Sequence, residues 1–366
     1  MSRVIIVGCG IIGATLAYEL SHIPELKITV LEQKQPAEAS TGAALGVLMG
    51  VISQKLKGKN WQLRETSIRR YETLIPELEA QIGQKIPFNR QGILMLCQEG
   101  EELANWEKLR ATRQSQGWQL EIWHPEQIRD RCPQLNLQHV IAAIYSPQDR
   151  QLDPTALTLA LVKAARQNGV IFEWNATVNS IQSDRTHSQL QTTIGTLECD
   201  WLIIAAGLGS SALTASLQQF IDIRPVLGQA LHLRLEQPLG NPDFQPSIAG
   251  DDIHIVPCTH TSPVTEYWVG ATVEFPTDAE ELVADSHQLK QVMEKAIAFC
   301  PALATATLLR QWSGLRPRPE GQPAPIIKQL PDYDRIFIAS GHYRNGILLA
   351  PATAQLIRDA IASQVQ

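Results

Sequence analysis

The sequence lacks the features that mark disulfide-rich, metal-binding and membrane-spanning proteins. Its six cysteines are scattered, without a Cys-x-x-Cys pair or a Cys/His cluster, which argues against a zinc site and a thioredoxin-like motif. No apolar run approaches the roughly 20 residues that cross a bilayer. We therefore expect reduced, buried cysteines, no metal site and no membrane span.

Blocks of charge of one sign are also missing. The chain has 31 Lys+Arg and 37 Asp+Glu, a formal net charge of -6, and its basic residues are interspersed with acidic ones. A broad basic surface for nucleic acid is therefore not expected. A candidate strand begins close to the amino terminus and leaves no room for a signal peptide ahead of it. These features predict a cytoplasmic protein.

What is present is the pattern of an ordinary globular chain of 366 residues, long enough for two domains or one large one. Its beginning predicts a strand at Val4–Val7, a helix to about His22 and a second strand at Ile28–Leu31. From Trp61 to Ile82, apolar residues recur at three- and four-residue steps, which predicts an amphipathic helix. The opening is therefore a βαβ unit.

Alternating elements are predicted along the rest of the chain. Asp153 is a candidate N-cap for a helix that has Pro154 in its first turn and runs to about Asn168. The other predicted elements are strand Gly92–Cys97, an exposed helix Glu101–Gln116, strands Val170–Glu173 and Trp201–Ala205, strands and turns over Arg224–Val273, helix Ser286–Phe299, strands Leu308–Trp312 and Ile336–Ala339, and a closing helix Ile347–Ala362. Because βαβ pieces flank strand-rich material, we expect an α/β fold (α+β overall) of two discontinuous domains.

A glycine-rich motif joins the first predicted strand to the first helix. Its GxGxxG spacing is formed by Gly8, Gly10 and Gly13, with Ile11 and Ile12 between the last two glycines. Such a turn lets backbone N–H groups approach a pyrophosphate, and the last glycine allows close helix-to-strand packing. Glu32, at the end of the second strand, can accept hydrogen bonds from a ribose diol. The motif alone fits NAD and FAD equally.

A run of small residues, Ala39 to Gly46, follows soon after this acid. Small side chains allow the backbone to lie against a large ligand, and Ser40 and Thr41 can donate hydrogen bonds to phosphate. In isolation the run could be a flexible loop. Beside the GxGxxG motif it favours FAD.

The order of these motifs, the Ala205 to Gly207 strand end and the C-terminal Gly341-His-Tyr-Arg-Asn-Gly-Ile-Leu-Leu-Ala-Pro351 resembles the D-amino-acid-oxidase superfamily over nearly the whole chain. The C-terminal run resembles glycine oxidases in particular. The resemblance implies a Rossmann-like FAD-binding domain (1–80, 150–215 and 310–366) with an inserted, mixed and mainly antiparallel substrate domain (81–149 and 216–309), of the D-amino-acid-oxidase type.

The resemblance also implies which residues contact the cofactor. They are Ser40, Thr41, Ala43, Ala44 and Gly46 in the small-residue run, Val178 through its backbone, Ala206 and Gly207 after a strand, and His342, Arg344, Asn345, Gly346, Ile347 and Leu348 in the final loop and helix. A helix that begins near Gly346 would direct its positive end at the flavin, and Arg344 would add a full charge. Covalent attachment in relatives needs a cysteine near Arg316 or a histidine beside the small-residue run. Neither is present, so FAD is expected to be non-covalent.

Two further residues are implied in the substrate site. Arg316, within Gly314-Leu-Arg-Pro317, resembles the family's carboxylate-binding arginine, and a planar guanidinium offers a carboxylate two parallel donors. The alternative is a surface arginine between prolines. His254 stands where glycine oxidases have a tyrosine. It is either a partly buried sheet histidine or a substrate-facing group that titrates near neutrality.

The implied reaction is FAD-dependent oxidative deamination of glycine or another small D- or N-methyl amino acid. A hydride passes from the α-carbon to flavin N5, the imino acid hydrolyses to the oxo acid and ammonia, and molecular oxygen becomes hydrogen peroxide. The alternatives are a dehydrogenase with another electron acceptor, an oxidase of a bulkier amine and a flavin-binding subunit without turnover. A role in thiamine biosynthesis is implied only by the resemblance, and a homo-oligomer is left open.

Overall fold

The computed structural model describes residues 1–184, 186–276 and 282–365. Its helices are α1 (Ile11–Leu20), α2 (Lys59–Ile82), α3 (Leu103–Ser115), α4 (Pro125–Arg131), α5 (Pro154–Gln167), α6 (Ser210–Ser216), α7 (Ser286–Phe299) and α8 (Gly346–Val365). Its strands are β1 (Ser2–Val7), β2 (Leu26–Glu32), β3 (Val47–Leu48), β4 (Phe88–Asn89), β5 (Ile93–Gln98), β6 (Glu121–Trp123), β7 (Val140–Ser146), β8 (Arg150–Leu152), β9 (Ile171–Trp174), β10 (Val178–Ser183), β11 (Ser188–Thr192), β12 (Gly195–Cys199), β13 (Trp201–Ile204), β14 (Ile223–Arg234), β15 (Ser247–Gly250), β16 (Ile253–Pro257), β17 (Glu266–Gly270), β18 (Thr307–Pro319), β19 (Ile326–Gln329) and β20 (Ile336–Ser340).

A six-stranded sheet in the order β19-β20-β13-β1-β2-β9 is built from the beginning, middle and end of the chain. All its pairings are parallel except β19 with β20. Helix α1 packs against α5 and α8 beside this sheet. Parallel strands are covered on both faces and need continuous apolar runs, which Val4–Val7 and Trp201–Ile204 supply. The predicted α/β fold is confirmed.

An eight-stranded sheet in the order β18-β14-β17-β16-β15-β5-β7-β6 forms the second large layer. Among the described strands of this sheet, β15 and β5 form the one parallel pair, so the predicted mixed, mainly antiparallel character is confirmed. Helix α7 packs on β16 and β17, and Val292 and Phe299 join their core. Two three-stranded sheets, β10-β11-β12 and β3-β8-β4, complete the fold.

The boundary predicted at residue 310 falls inside a single strand. Strand β18 pairs with β14 from Thr307 to Pro319, so residues 310–319 belong to the eight-stranded sheet. As an edge strand, β18 tolerates Pro317, because proline cannot donate a ladder hydrogen bond. We retain the two-domain division as a proposal, with these residues moved to the substrate domain.

Local signals place several helices correctly. The Asp153 carboxylate accepts hydrogen bonds from the backbone N–H groups of Thr155 and Ala156, so α5 begins at Pro154 as predicted.

The prediction of an exposed helix over Glu101–Gln116 was wrong in one respect. Helix α3 buries one face, and its Arg113 is fully buried because backbone carbonyls meet its donors.

Several expectations concern what the chain should lack. All six cysteines are free and buried, as their scattered positions predict. Within the described ranges, no helix is both long and apolar enough to cross a membrane. The same residues contain no group of three or more His, Cys, Asp or Glu arranged to hold a metal ion.

Candidate functional site

A cavity of about 1170 Å³ lies where the two large sheets meet. The carboxyl ends of β1, β2 and β13 form one part of its wall, and the beginning of α8 forms another. Residues of β16 and β18 reach it from the eight-stranded sheet. Sites for a single drug-sized ligand enclose roughly 300–1000 Å³, so this cavity has room for a dinucleotide and a small substrate together.

The cavity brings together all but one of the predicted site residues. Those that line it are Gly8, Gly10, Ile11, Ile12, Glu32, Ser40, Thr41, Ala43, Ala44, Gly46, Val178, Ala206, Gly207, His254, Arg316, His342, Arg344, Asn345, Gly346, Ile347 and Leu348. The exception, Gly13, lies in α1, where a Cβ atom would stand 1.9 Å from the Gly8 carbonyl oxygen. That close approach is the helix-to-strand packing predicted for the third glycine.

The amino-terminal end of α1 opens on the cavity beside polar groups. Thr41 Oγ1 accepts a hydrogen bond from the Ile11 N–H at 3.0 Å, so its own proton stays available to a ligand. Glu32 accepts from the Cys9 N–H at 2.7 Å. Ser40 differs, because its hydroxyl already donates to the Leu315 carbonyl at 2.6 Å. A helix N-terminus, a hydroxyl and an acid therefore meet here, as phosphate and ribose binding require.

The Arg316 guanidinium is half-buried at the cavity wall, on β18. Its Nη1 donates to the Leu227 carbonyl at 3.0 Å and its Nη2 to the Thr272 carbonyl at 3.1 Å. Each terminal nitrogen carries a second N–H, and no ion pair with any described carboxylate forms. Burial lowers the pKa of Arg316, and nearby Arg344 adds to this effect. The alternative of a surface arginine is thus not what the structure shows.

His254 lies on β16 and its imidazole faces the cavity, with Nε2 3.4 Å from the Met49 sulfur. Burial, reinforced by the charge of Arg344, lowers the pKa of His254 to about 4. Titration near neutrality, which one of the two alternatives for His254 included, disagrees with this lowered pKa, because burial and two arginines disfavour the imidazolium. His254 is a neutral group at physiological pH.

The loop before α8 supplies two groups with different surroundings. His342 is buried and its Nε2 lies 2.9 Å from Thr353 Oγ1, which donates its own proton to the Leu349 carbonyl. His342 Nε2 must therefore carry a proton and donate it. Burial lowers the pKa of His342 to about 3. Arg344 is more exposed and lies 3.6 Å from Asp252 at the cavity rim.

Several residues with evident relevance to the cavity were not predicted. A Cβ atom on Gly228 would stand 2.1 Å from Arg316 Nη2, so only glycine lets the guanidinium lie flat on β14. Tyr343 lines the cavity with a positive φ of 53°, which is rare for tyrosine and typical of functional loops. A buried arginine, Arg64, reaches Asn345 from α2. Local sequence gives little signal for such contacts, because the partners are far apart in the chain.

Comparison with known proteins agrees with this architecture. The DAO family of FAD dependent oxidoreductases matches residues 3–360. The chain is 28% identical to the glycine oxidase of Bacillus licheniformis over 98% of its own length and 92% of that protein. It is 30% identical to the glycine oxidase of Bacillus subtilis, over 98% and 93%. The crystal structure of glycine oxidase from Geobacillus kaustophilus superposes with a TM-score of 0.88 at 26% identity, covering 99% of this chain and 95% of that one. The chain therefore belongs to the DAO family of FAD dependent oxidoreductases and is an amine or amino-acid oxidoreductase.

Proposed function

We propose that this protein oxidises glycine or another small amino acid, D- or N-methyl amino acids included, with molecular oxygen as electron acceptor. The products are the imino acid, which hydrolyses to the oxo acid and ammonia, and hydrogen peroxide. The observation that carries the proposal is Arg316, a guanidinium in the cavity wall with donors left for an anion. Similarity to glycine oxidases supports it.

The residues present fit FAD. We propose that Glu32 binds the ribose, that the N-terminus of α1 and Thr41 bind the diphosphate, and that the beginning of α8 faces the flavin ring. Within the described part of the chain no cysteine lines the cavity, which supports non-covalent attachment. When bound, FAD supplies the hydride acceptor and the route to oxygen.

The chain's own groups would hold and prepare the substrate. Arg316 binds the carboxylate through its remaining N–H groups and so fixes the direction of the α-carbon. Arg316 and Arg344 place positive charge at this end of the cavity, which disfavours a second cation there. The same field favours loss of a proton from the substrate ammonium, and the neutral amine is the form from which hydride leaves. Neutral His254 adds no opposing charge.

The role of Arg316 is tested by steady-state kinetics. We expect Arg316→Ala to raise the KM for the amino acid by about 100-fold or more, since it removes one partner of a buried charged pair, while FAD stays bound. The matched control is Arg318→Ala, because Arg318 lies two residues along and pairs with Glu320 instead. An unchanged KM in Arg316→Ala would remove this residue from the substrate site.

The biological role is a separate step. The resemblance to glycine oxidases implies that the chain supplies the imine used in thiamine synthesis, and we propose that role here. Growth of a deletion strain with and without added thiamine would test this role, and normal growth without thiamine would contradict it.

A further inference from the structure

One face of α2 contacts the beginning of α8 through three polar side chains spaced three and four residues apart. Arg64 Nη2 donates to Asn345 Oδ1 at 3.3 Å, and Ser67 Oγ accepts from the Ala352 N–H at 3.2 Å. The Tyr71 hydroxyl donates to the Ile347 carbonyl. These contacts fix the helix end that borders the cavity.

Two of the three contacts have a structural explanation. Pro351 lies inside α8 and has no N–H to donate to the Ile347 carbonyl four residues earlier. Tyr71 satisfies that carbonyl, and Ser67 receives an N–H from the residue that follows the proline. Arg64 repairs no such defect, so its presence at this position needs another reason.

Arg64 is a buried charge with few partners. Its side chain belongs to a residue that is only 8% exposed, Nη1 donates to the Asn60 carbonyl at 3.0 Å, and Nε has no hydrogen-bond partner. Among the residues that the structure describes, no carboxylate forms an ion pair with it, and burial lowers its pKa. An isolated buried charge is costly. Within the described residues, the Asn60 carbonyl and the Asn345 amide oxygen accept from it, and neither carries a charge.

Arg113 shows what a purely structural buried arginine looks like in the same protein. It donates to the carbonyls of Val51, Ser53 and Lys55, and to Gln116 Oε1. Its guanidinium also lies 3.5 Å from the centre of the Trp61 ring. Arg113 therefore makes four hydrogen bonds through all three of its nitrogens and holds a loop, whereas Arg64 makes two and leaves its Nε without a partner.

The contact with Asn345 has a definite direction. A guanidinium can only donate, so the amide oxygen of Asn345 must face Arg64 and its NH₂ group must face away. Within the described residues the Asn345 NH₂ group has no acceptor, and Asn345 lines the cavity beside the N-terminus of α8. A charge, an oriented amide and a helix N-terminus thus present positive potential at one place.

We propose that Arg64 is a positioning residue that fixes the Asn345 amide and supplies the positive potential favouring the negatively charged, reduced form of the cofactor. This inference rests on the proposed function, because it places the flavin ring beside α8. The cost of burying Arg64 is then offset when an anionic group occupies the cavity. Arg64 acts through Asn345 and is not expected to touch the substrate.

The midpoint potential of bound FAD, measured by dye equilibration on the holoenzyme, tests this role without any amino acid. We expect Arg64→Met to make the potential more negative, with an approximately tenfold change in the oxidised-to-reduced ratio, or about 30 mV for two electrons. Arg64→Lys should retain most of the wild-type potential, because it keeps the charge. Asn345→Ala should shift the potential in the same direction by less, and it serves where Arg64→Met does not fold.

Arg113→Met is the matched control, since it also removes a buried arginine. It should lower the melting temperature and leave the potential unchanged. A wild-type potential in both Arg64→Met and Asn345→Ala, or an equal shift in Arg113→Met, would overturn the inference. If the holoenzyme oxidises no amino acid and Arg64→Met still shifts the potential, the proposed function fails and the role of Arg64 stands.

Discussion

Two residues of the cavity wall, Arg316 and His254, differ in the charge that they carry. Arg316 retains free donors at the wall, and His254 is kept neutral beside it. The resemblance of Gly314–Pro317 to a family motif implied a carboxylate-binding role for Arg316. The structure places this residue at the cavity, and its role stays a prediction. Gly228 could not be predicted, because its necessity comes from the guanidinium on the neighbouring strand and leaves no local pattern.

Tyr343 is expected to contribute to substrate binding. Tyr343 has a positive φ and lines the cavity. It lies near Arg316 and raises the pKa of that guanidinium, which partly offsets the lowering caused by burial. We expect the phenol to help bind the substrate carboxylate, the role that the resemblance to glycine oxidases implies for a tyrosine at the position of His254. Tyr343→Phe should raise KM about three- to tenfold, the loss expected for one hydrogen bond to a charged group, with little change in kcat.

A second variant tests the role of the phenol by restoring one at a different position. His254→Tyr in the Tyr343→Phe background returns a phenol to the position where glycine oxidases carry it, and should recover part of the lost affinity. If Tyr343→Phe has wild-type KM, the phenol takes no part in substrate binding.

At the scale of elements, the sequence predicted helices that depend on local signals and missed features that depend on distant partners. The N-cap Asp153 and the apolar stripe of α2 gave correct helices. The stripe was read from Ile68 onward, although Arg64 and Ser67 are buried on the same helix. A charged residue is not expected in a core unless its partners are known, and Asn345 lies 281 residues away.

The junction of α2 and α8 gives a prediction about stability. Tyr71→Phe leaves the Ile347 carbonyl buried without a donor, which should cost about 1–3 kcal/mol in the free energy of unfolding. Pro351→Ala restores a backbone N–H within reach of that carbonyl. The cost of Tyr71→Phe, measured by thermal unfolding, should therefore be smaller in the Pro351→Ala background. Equal costs in both backgrounds would show that Tyr71 does not replace the missing N–H.

For the whole molecule, the order of the motifs was sufficient to predict the fold class. The GxGxxG motif, Glu32 and the C-terminal run from Gly341 all lie at the same edge of the parallel sheet. How the two large sheets meet could not be predicted from the sequence. It depends on contacts such as Ser40 with Leu315, 275 residues apart. In this contact the Ser40 hydroxyl donates to a carbonyl of the boundary strand β18, which lies against the small-residue run. Donation by Ser40 to phosphate stays a prediction.

The stability of the whole protein should depend on pH through its buried histidines. The pKa of His254 is lowered to about 4 and that of His342 to about 3, both from a usual value of 6.5. Between the lowered pKa values of the folded protein and the usual value of 6.5, the unfolded chain binds more protons than the folded one. The free energy of unfolding therefore rises with pH from about 4 to about 6.5 and then levels off. We expect the melting temperature to follow that course.

His342→Gln tests this assignment. It should flatten the dependence of the melting temperature between about pH 4 and 6.5, because burial of the neutral His342 ring contributes part of the slope. His287→Gln, which changes an exposed histidine at the start of α7, should leave the slope unaltered. Equal slopes for wild type and His342→Gln would contradict the role of His342.

Anaerobic mixing of the FAD-loaded protein with glycine, sarcosine, D-alanine, D-proline, L-alanine and L-proline, followed by air, tests the proposed amino-acid oxidation. We predict rapid loss of flavin absorbance with glycine or a small D- or N-methyl amino acid, then re-oxidation in air with stoichiometric hydrogen peroxide. Loss of absorbance without prompt re-oxidation would contradict oxygen as the acceptor and indicate a dehydrogenase. No loss of absorbance with any of these compounds would contradict the proposed substrate class.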